Sequence, residues 1–223
     1  MKKIIIIGAG AMGSAFAVPC LENQNDVTLV GTHLEDELIK GIKSNNNFHP
    51  ALNMELPSKL KVEKFDKLSS ILEREVDIIV AGISSIGTEW FVEQISKNYK
   101  NNRAIILLTK GLAIEENELI TLSDKIKKLL KEKGHTKINI SAIKGPCLAA
   151  GLANKMRTGT VIANPDIKEA KLLKKIISTN YYSTEISDDL TGIELSGAIK
   201  NIYSMLIGAS EGLSNSKASK EIQ

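Results

Sequence analysis

Met1-Lys2-Lys3-Ile4-Ile5-Ile6-Ile7-Gly8-Ala9-Gly10-Ala11-Met12-Gly13 opens the chain and decides its fold. Ile4 to Ile7 are β-branched without a break, the pattern of a strand buried on both faces. Gly8, Gly10 and Gly13 follow as G-x-G-x-x-G, and Ser14 to Glu22 reads as a helix. The glycines therefore sit on a strand-to-helix turn. There the backbone can approach a pyrophosphate, and the helix supplies free N–H groups and the positive end of its dipole. Outside such a context the same glycines would mark only a tight turn. In this context Gly8, Ala9, Gly10, Ala11, Met12 and Gly13 are expected to bind a dinucleotide.

The alternation continues along the chain. Strands are expected at 25–30, 60–63, 77–82, 104–109, 138–143, 160–163 and 181–186. Helices are expected at 35–44, 88–99, 118–133 and 168–178. Strands alternating with helices make an α/β protein with a doubly wound, mostly parallel sheet of the Rossmann type. No repeat or low-complexity linker interrupts it. Residues 1–188 are expected to form the dinucleotide-binding domain, and the pattern changes over 189–223.

Composition narrows the class. With 223 residues, 43% hydrophobic and 25% charged, the chain can bury a sizeable core as an ordinary globular protein. A net charge of +3 with scattered lysines gives no nucleic-acid face. No stretch is long enough to span a membrane. Lys2-Lys3-Ile4 resembles a signal-peptide start, but Gly8 and Gly10 break the apolar run and the first strand needs it. Cys20 and Cys147 are too few for a disulfide framework, which fits a reducing cytoplasm. His33, His49 and His135 have no metal-ligand spacing, so no metal is expected, and His49-Pro50 reads as a turn.

Three places carry candidate chemistry. From Thr191 to Ser214, Ile199, Ile202, Leu206 and Ala209 recur at helical spacing, in a stretch broad enough to suggest burial. Lys200 is its lone charge between Glu194 and Glu211. It reads either as a lysine snorkelling from a partly exposed face or as a proton donor in a dry cleft. Lys110 ends the strand at 104–109, where open α/β sheets bind ligands, or else it is a solvated loop lysine. Gly145-Pro146-Cys147 follows another strand at the same edge. Cys147 reads as a small packing residue, since a catalytic thiolate would need a histidine and none lies nearby in sequence.

Taken in order, the glycine turn, Thr109-Lys110-Gly111-Leu112, Gly145-Pro146-Cys147-Leu148-Ala149 and Gly192-Ile193-Glu194-Leu195-Ser196-Gly197-Ala198-Ile199-Lys200-Asn201-Ile202-Tyr203 resemble the NAD(P)-dependent glycerol-3-phosphate dehydrogenase family over the whole chain. The resemblance implies hydride transfer between NAD(P)H and a small phosphorylated three-carbon substrate, dihydroxyacetone phosphate or sn-glycerol 3-phosphate. It makes Lys200 the proton donor and acceptor, and Lys110 a substrate-binding lysine near the nicotinamide. Gly145, Cys147 and Asn201 become substrate-side residues, and Ser84 and Ala149 cofactor-side residues. The resemblance makes NAD or NADP the cofactor and 189–223 the beginning of an all-helical substrate domain, and a homodimer is expected of the full-length form.

The chain departs from that pattern in four places. Cys147 stands where serine is frequent, and Ser84-Ser85 where proline-serine is common. After the second strand, Gly31-Thr32-His33 offers neither a carboxylate for the NAD ribose nor an arginine for the NADP phosphate. The arginine and asparagine that hold the substrate phosphate in the family have no counterpart before Gln223. The 223-residue chain is therefore expected to bind cofactor but to reduce little dihydroxyacetone phosphate. It is also expected to expose, or bury by self-association, an apolar patch around Ile202, Leu206 and Ala209. Two other functions use the same layout: a dehydrogenase of another small hydroxy compound, and a non-catalytic nucleotide-sensing module. A sensor would have no need of both lysines.

Overall fold

The computed structural model describes residues 1–100 and 103–214. β1 (Lys3–Ile7) leads into α1 (Ala11–Glu22), β2 (Asp26–Val30) and α2 (Asp36–Ser44). A short hairpin of β3 (Phe48–His49) and β4 (Met54–Glu55) precedes β5 (Lys61–Glu63) and α3 (Leu68–Leu72). Next come β6 (Ile78–Ala81), α4 (Thr88–Ser96) and β7 (Ala104–Leu107). A second hairpin, β8 (Leu112–Glu115) and β9 (Glu118–Thr121), leads to α5 (Leu122–Glu132), β10 (Asn139–Lys144) and α6 (Ala149–Ala153). Last among the described residues come β11 (Thr158–Ala163), α7 (Ile167–Ile177), β12 (Tyr182–Ser187) and α8 (Leu190–Ser214).

Eight strands form one sheet in the order β12-β11-β10-β7-β6-β1-β2-β5. All neighbours are parallel except β10 and β11. From β1 the chain winds outward through β2 and β5, then returns to β6 and winds the other way. The order thus reverses between β1 and β6, and the carboxyl ends of those strands flank the ligand crevice of such a sheet.

The isoleucine run explains why β1 is central. Ile4 and Ile6 pack with Phe16, Cys20 and Ile39 on one face. Ile5 and Ile7 pack with Phe91, Val92 and Ile126 on the other. All four are at most 3% exposed. Each such burial stabilises by roughly 1.5–3 kcal/mol, and the pleat sends alternate side chains to opposite cores.

Several element bounds differ from the sequence expectation. α1 starts at Ala11 rather than Ser14, so its first N–H groups lie within the glycine turn. The expected helix at 118–133 begins only at Leu122, because 118–121 pairs with 112–115. Glu116 and Asn117 take φ of 50° and 66°, the positive pair of a two-residue hairpin turn. Thr121 then caps α5 by accepting from the Asp124 N–H at 3.1 Å.

α8 is capped by Asp189, which accepts from the Gly192 N–H at 2.8 Å. Leu190 and Glu194 are buried against the sheet layer, but Ile202 is 54% and Leu206 58% exposed. The burial expected for the whole helix is confined to its first turns, since no described element covers the rest. Ile202, Leu206 and Ala209 thus stand exposed.

Arg103, 1% exposed, ties the helix ends to the sheet. Its guanidinium donates to the carbonyls of Asn98, Leu72 and Arg74 at 2.7–2.8 Å. Arg103→Met should cost about 2–4 kcal/mol in urea unfolding, because three carbonyls lose one charged donor. A loss below about 0.5 kcal/mol would mean that water serves them equally well.

Candidate active site

The glycine turn is built by contacts between backbones. Gly8 has φ +108°, and a Cβ there would lie 2.5 Å from the Gly82 carbonyl oxygen. A Cβ on Gly13 would lie 2.2 Å from the Gly8 oxygen. These two glycines are demanded by the fold. Gly10 is different: its φ is −62°, and a Cβ there would meet nothing nearer than Glu35 Oε1 at 3.9 Å. The open face of Gly10 is thus space for a ligand.

No side chain caps α1, and no acidic residue lies in its first turn. Its free N–H groups and dipole therefore remain for an anion. Uncapped amides beside an open glycine fit a pyrophosphate, with Gly10, Ala11, Met12 and Gly13 as its nearest backbone.

Three residues that sequence reading missed hold this turn. His49 is buried, and its Nε2 donates to the Ala9 carbonyl at 2.8 Å while Nδ1 accepts from the Leu52 N–H. Ser14 Oγ donates to the same carbonyl at 3.0 Å. Glu35 Oε2 accepts from the N–H groups of Ala9 at 3.0 Å and Thr32 at 2.7 Å. A carboxylate therefore does stand beside Gly31-Thr32-His33, from Glu35 immediately before α2. Its distance past the glycines, about 20 residues, was the available signal. Nearby, His33, Phe65 and Trp90 form an aromatic trio with centroids 5.0–6.1 Å apart.

Two cavities lie at the carboxyl edge of the sheet, and Lys110 lines both. One, of about 290 Å³, runs between the glycine turn and the end of β7, past Met12, Gly82 and Thr109. The other, of about 280 Å³, lies between β10 and α8 and is lined by Lys110, Lys144, Gly145, Ser196, Gly197 and Lys200 among others. Lys110 is held below the ordinary lysine range, first by partial burial of its ammonium and then by the positive charge of Lys200, with Cys147 opposing. Lys200 is half-buried rather than enclosed in a dry cleft.

Cys147 is buried beside Met12, Gly145 and Tyr182, and burial pushes its thiol up, away from thiolate. Ala149 begins α6 and packs on the core that holds Met12. Asn201 and Ser84 stand apart from the cavities. Asn201 is exposed, because the helix turns it about 100° from Lys200. Ser84 is exposed at the turn after β6, and its neighbour Ile83 lines the first cavity instead.

A doubly wound sheet with this glycine turn at its switch point defines a Rossmann-type dinucleotide-binding domain. Residues 3–170 match the family model of the NAD-dependent glycerol-3-phosphate dehydrogenase N-terminus, and the chain belongs to that family.

Among relatives, an NADP(+)-dependent glycerol-3-phosphate dehydrogenase of Archaeoglobus fulgidus is 32% identical over 216 residues, covering 96% of this chain and 62% of the relative. A glycerol-3-phosphate dehydrogenase [NAD(P)+] of Mesoplasma florum is 32% identical, covering 90% and 58%. This chain thus spans about three-fifths of their length. The crystal structure of glycerol-3-phosphate dehydrogenase from Coxiella burnetii superposes with a TM-score of 0.81 at 22% identity, over 99% of this chain and 64% of that one, a likeness of fold.

Gly10→Val should leave the melting temperature nearly unchanged and weaken NADH or NADPH binding at least tenfold, read by quenching of the single tryptophan, Trp90. Gly8→Ala should instead destabilise by about 1–3 kcal/mol through strain at positive φ. Equal cofactor affinity in Gly10→Val and wild type would remove the turn from the binding site.

Proposed function

We propose that this chain supplies the cofactor domain and the start of the substrate domain of an enzyme interconverting dihydroxyacetone phosphate and sn-glycerol 3-phosphate. Residues 1–188 hold NAD or NADP, and 189–223 begin the helical substrate part, of which 215–223 lie outside the described residues. The observation that carries this reading is the meeting of Lys110 and Lys200 on one cavity, from elements 90 residues apart in sequence.

Bound NAD(P)H supplies the hydride. When the substrate carbonyl is reduced, negative charge grows on its oxygen. The Lys200 ammonium stabilises that charge and gives the proton, and in the reverse direction its neutral amine accepts one. Lys110, shared by the two cavities, holds the substrate against the cofactor side. Gly145 gives the substrate a backbone wall, and Cys147 packs behind it as a neutral thiol. Asn201 and Ser84 reach the substrate and cofactor only when further chain or bound ligand closes on them. Two buried free cysteines support a reducing, cytoplasmic setting, and the exposed apolar strip of α8 supports a homodimer of the full-length form.

In the full-length protein, oxidation of NADH or NADPH by dihydroxyacetone phosphate tests the reading. Lys200→Ala should lower kcat by about 10²- to 10⁴-fold with cofactor affinity nearly unchanged. Lys110→Ala should raise KM as well as lower kcat. Near-normal turnover in Lys200→Ala would make that lysine structural.

A further inference from the structure

Lys144, the last residue of β10, is 4% exposed and the only buried lysine among the described residues. The reaction above does not use it. Its stem passes directly beneath α8: a Cβ on Gly197 would stand 3.0 Å from Lys144 Cδ and 3.1 Å from its Cγ. Its ammonium donates to the carbonyls of Thr109 and, at 3.4 Å, Leu107, the residues leading to Lys110. A lysine has three donors, and among the described residues no third acceptor lies on this one.

The charge lining its cavity is one-sided, and Glu194 acts on Lys144 only through space, from outside that lining. Lys144 lines the same cavity as Lys110 and Lys200, and no carboxylate lines it. Glu194, buried one turn before Gly197, makes no ion pair with Lys144. Its carboxylate accepts instead from the Ser123 N–H at 3.3 Å, at the start of α5. Two carbonyls could be satisfied by a neutral donor, and an unpaired buried charge is costly. A doubly charged ligand in the cavity would supply the missing counter-charge.

We propose that Lys144 is the third cation of this site, a buried ammonium that binds the phosphate end of the substrate while its two carbonyl bonds keep Lys110 in place. The proposal rests on the reaction above only for which phosphate ester enters the cavity.

Burial holds the Lys144 ammonium down to about 8, with Glu194 opposing and Lys110 adding to the fall. The charged and titratable groups around it are Lys110 after β7, Cys147 after its own strand, Glu194 and Lys200 on α8, and Asp124 of α5 behind Glu194. A phosphate monoester is already doubly charged above about pH 7. Loss of its affinity as pH rises through about 8 therefore reports cations of the protein.

The test is calorimetric titration of the full-length protein with inorganic phosphate, sn-glycerol 3-phosphate and glycerol in separate arms. Lys144→Met keeps the apolar stem under Gly197 and removes the charge. Its Kd for both phosphates should rise about 10- to 100-fold. Glycerol and NADH affinity should not move, and the wild-type loss of phosphate affinity near pH 8 should vanish. Unchanged phosphate binding in folded Lys144→Met, or a wild type that binds no phosphate, overturns the proposal. If Lys144→Met does not fold, Lys144→Gln and the wild-type pH profile decide, and an affinity flat through about pH 8 overturns it equally. Phosphate binding that depends on Lys144, without any oxidation of NADH or NADPH by dihydroxyacetone phosphate, would overturn the proposed reaction and leave the cation site standing.

Discussion

Everything in this site depends on how closely three stretches of backbone approach one another at the switch point. The Gly8 carbonyl packs against Gly13, and Gly8 itself packs against Gly82 at the end of β6. That approach directs the first turn of α1 at the crevice and leaves its amides without side-chain caps. A single methyl group at Gly8 or Gly13 would push β1, α1 and β6 apart. The buried His49 and Ser14 pin the Ala9 carbonyl from behind, so the turn is held by side chains as well as by sterics.

The second constraint is electrostatic. Lys110, Lys144 and Lys200 come from three different elements and share one cavity. Concentrating like charge there has a cost that appears in the protonation equilibria. Lys110 is depressed by burial and by Lys200, and Lys144 by burial and by Lys110. Because the folded protein releases the Lys144 proton near pH 8 and the unfolded chain only in the ordinary lysine range, this residue destabilises the fold below about pH 8. The penalty is relieved as pH rises above that point. A fold that brings three ammonium groups to one cavity with no carboxylate in its lining is arranged for an anionic ligand rather than for maximal stability.

Glu35 shows the same economy at the other end of the crevice. Its carboxylate accepts from one amide of the glycine turn and one after β2, next to an aromatic trio of His33, Phe65 and Trp90. A dinucleotide entering there meets an acidic corner beside the exposed rim of an aromatic surface. The archaeal relative is named for NADP(+) and the mycoplasmal one for NAD(P)+. The chain shares the turn and sheet of that family.

Local rules made the sheet legible before any coordinates. Ile4 to Ile7 require a two-sided burial, Gly8 to Gly13 a turn into a helix, and the later strands repeat that grammar. Lys200 could be marked as a lone charge in an apolar helix, and Lys110 because it ends a strand at the ligand-binding edge of the sheet. Other features were not legible because they depend on residues distant in sequence. Glu118 to Thr121 looks helical until it is paired with Leu112 to Glu115. His49 looks like a turn residue until α1 is placed beside it. Lys144 looks like an ordinary strand-end lysine until α8 covers it. Sequence determined the strand order's raw material, the phosphate turn and two of the three lysines, since these follow from periodicity and steric demands a few residues long. Tertiary structure alone decided which carboxylate meets the turn, which half of α8 is buried, and that three ammonium groups meet in one cavity. Burial and Coulomb interactions act through space, and only the packed chain fixes those distances.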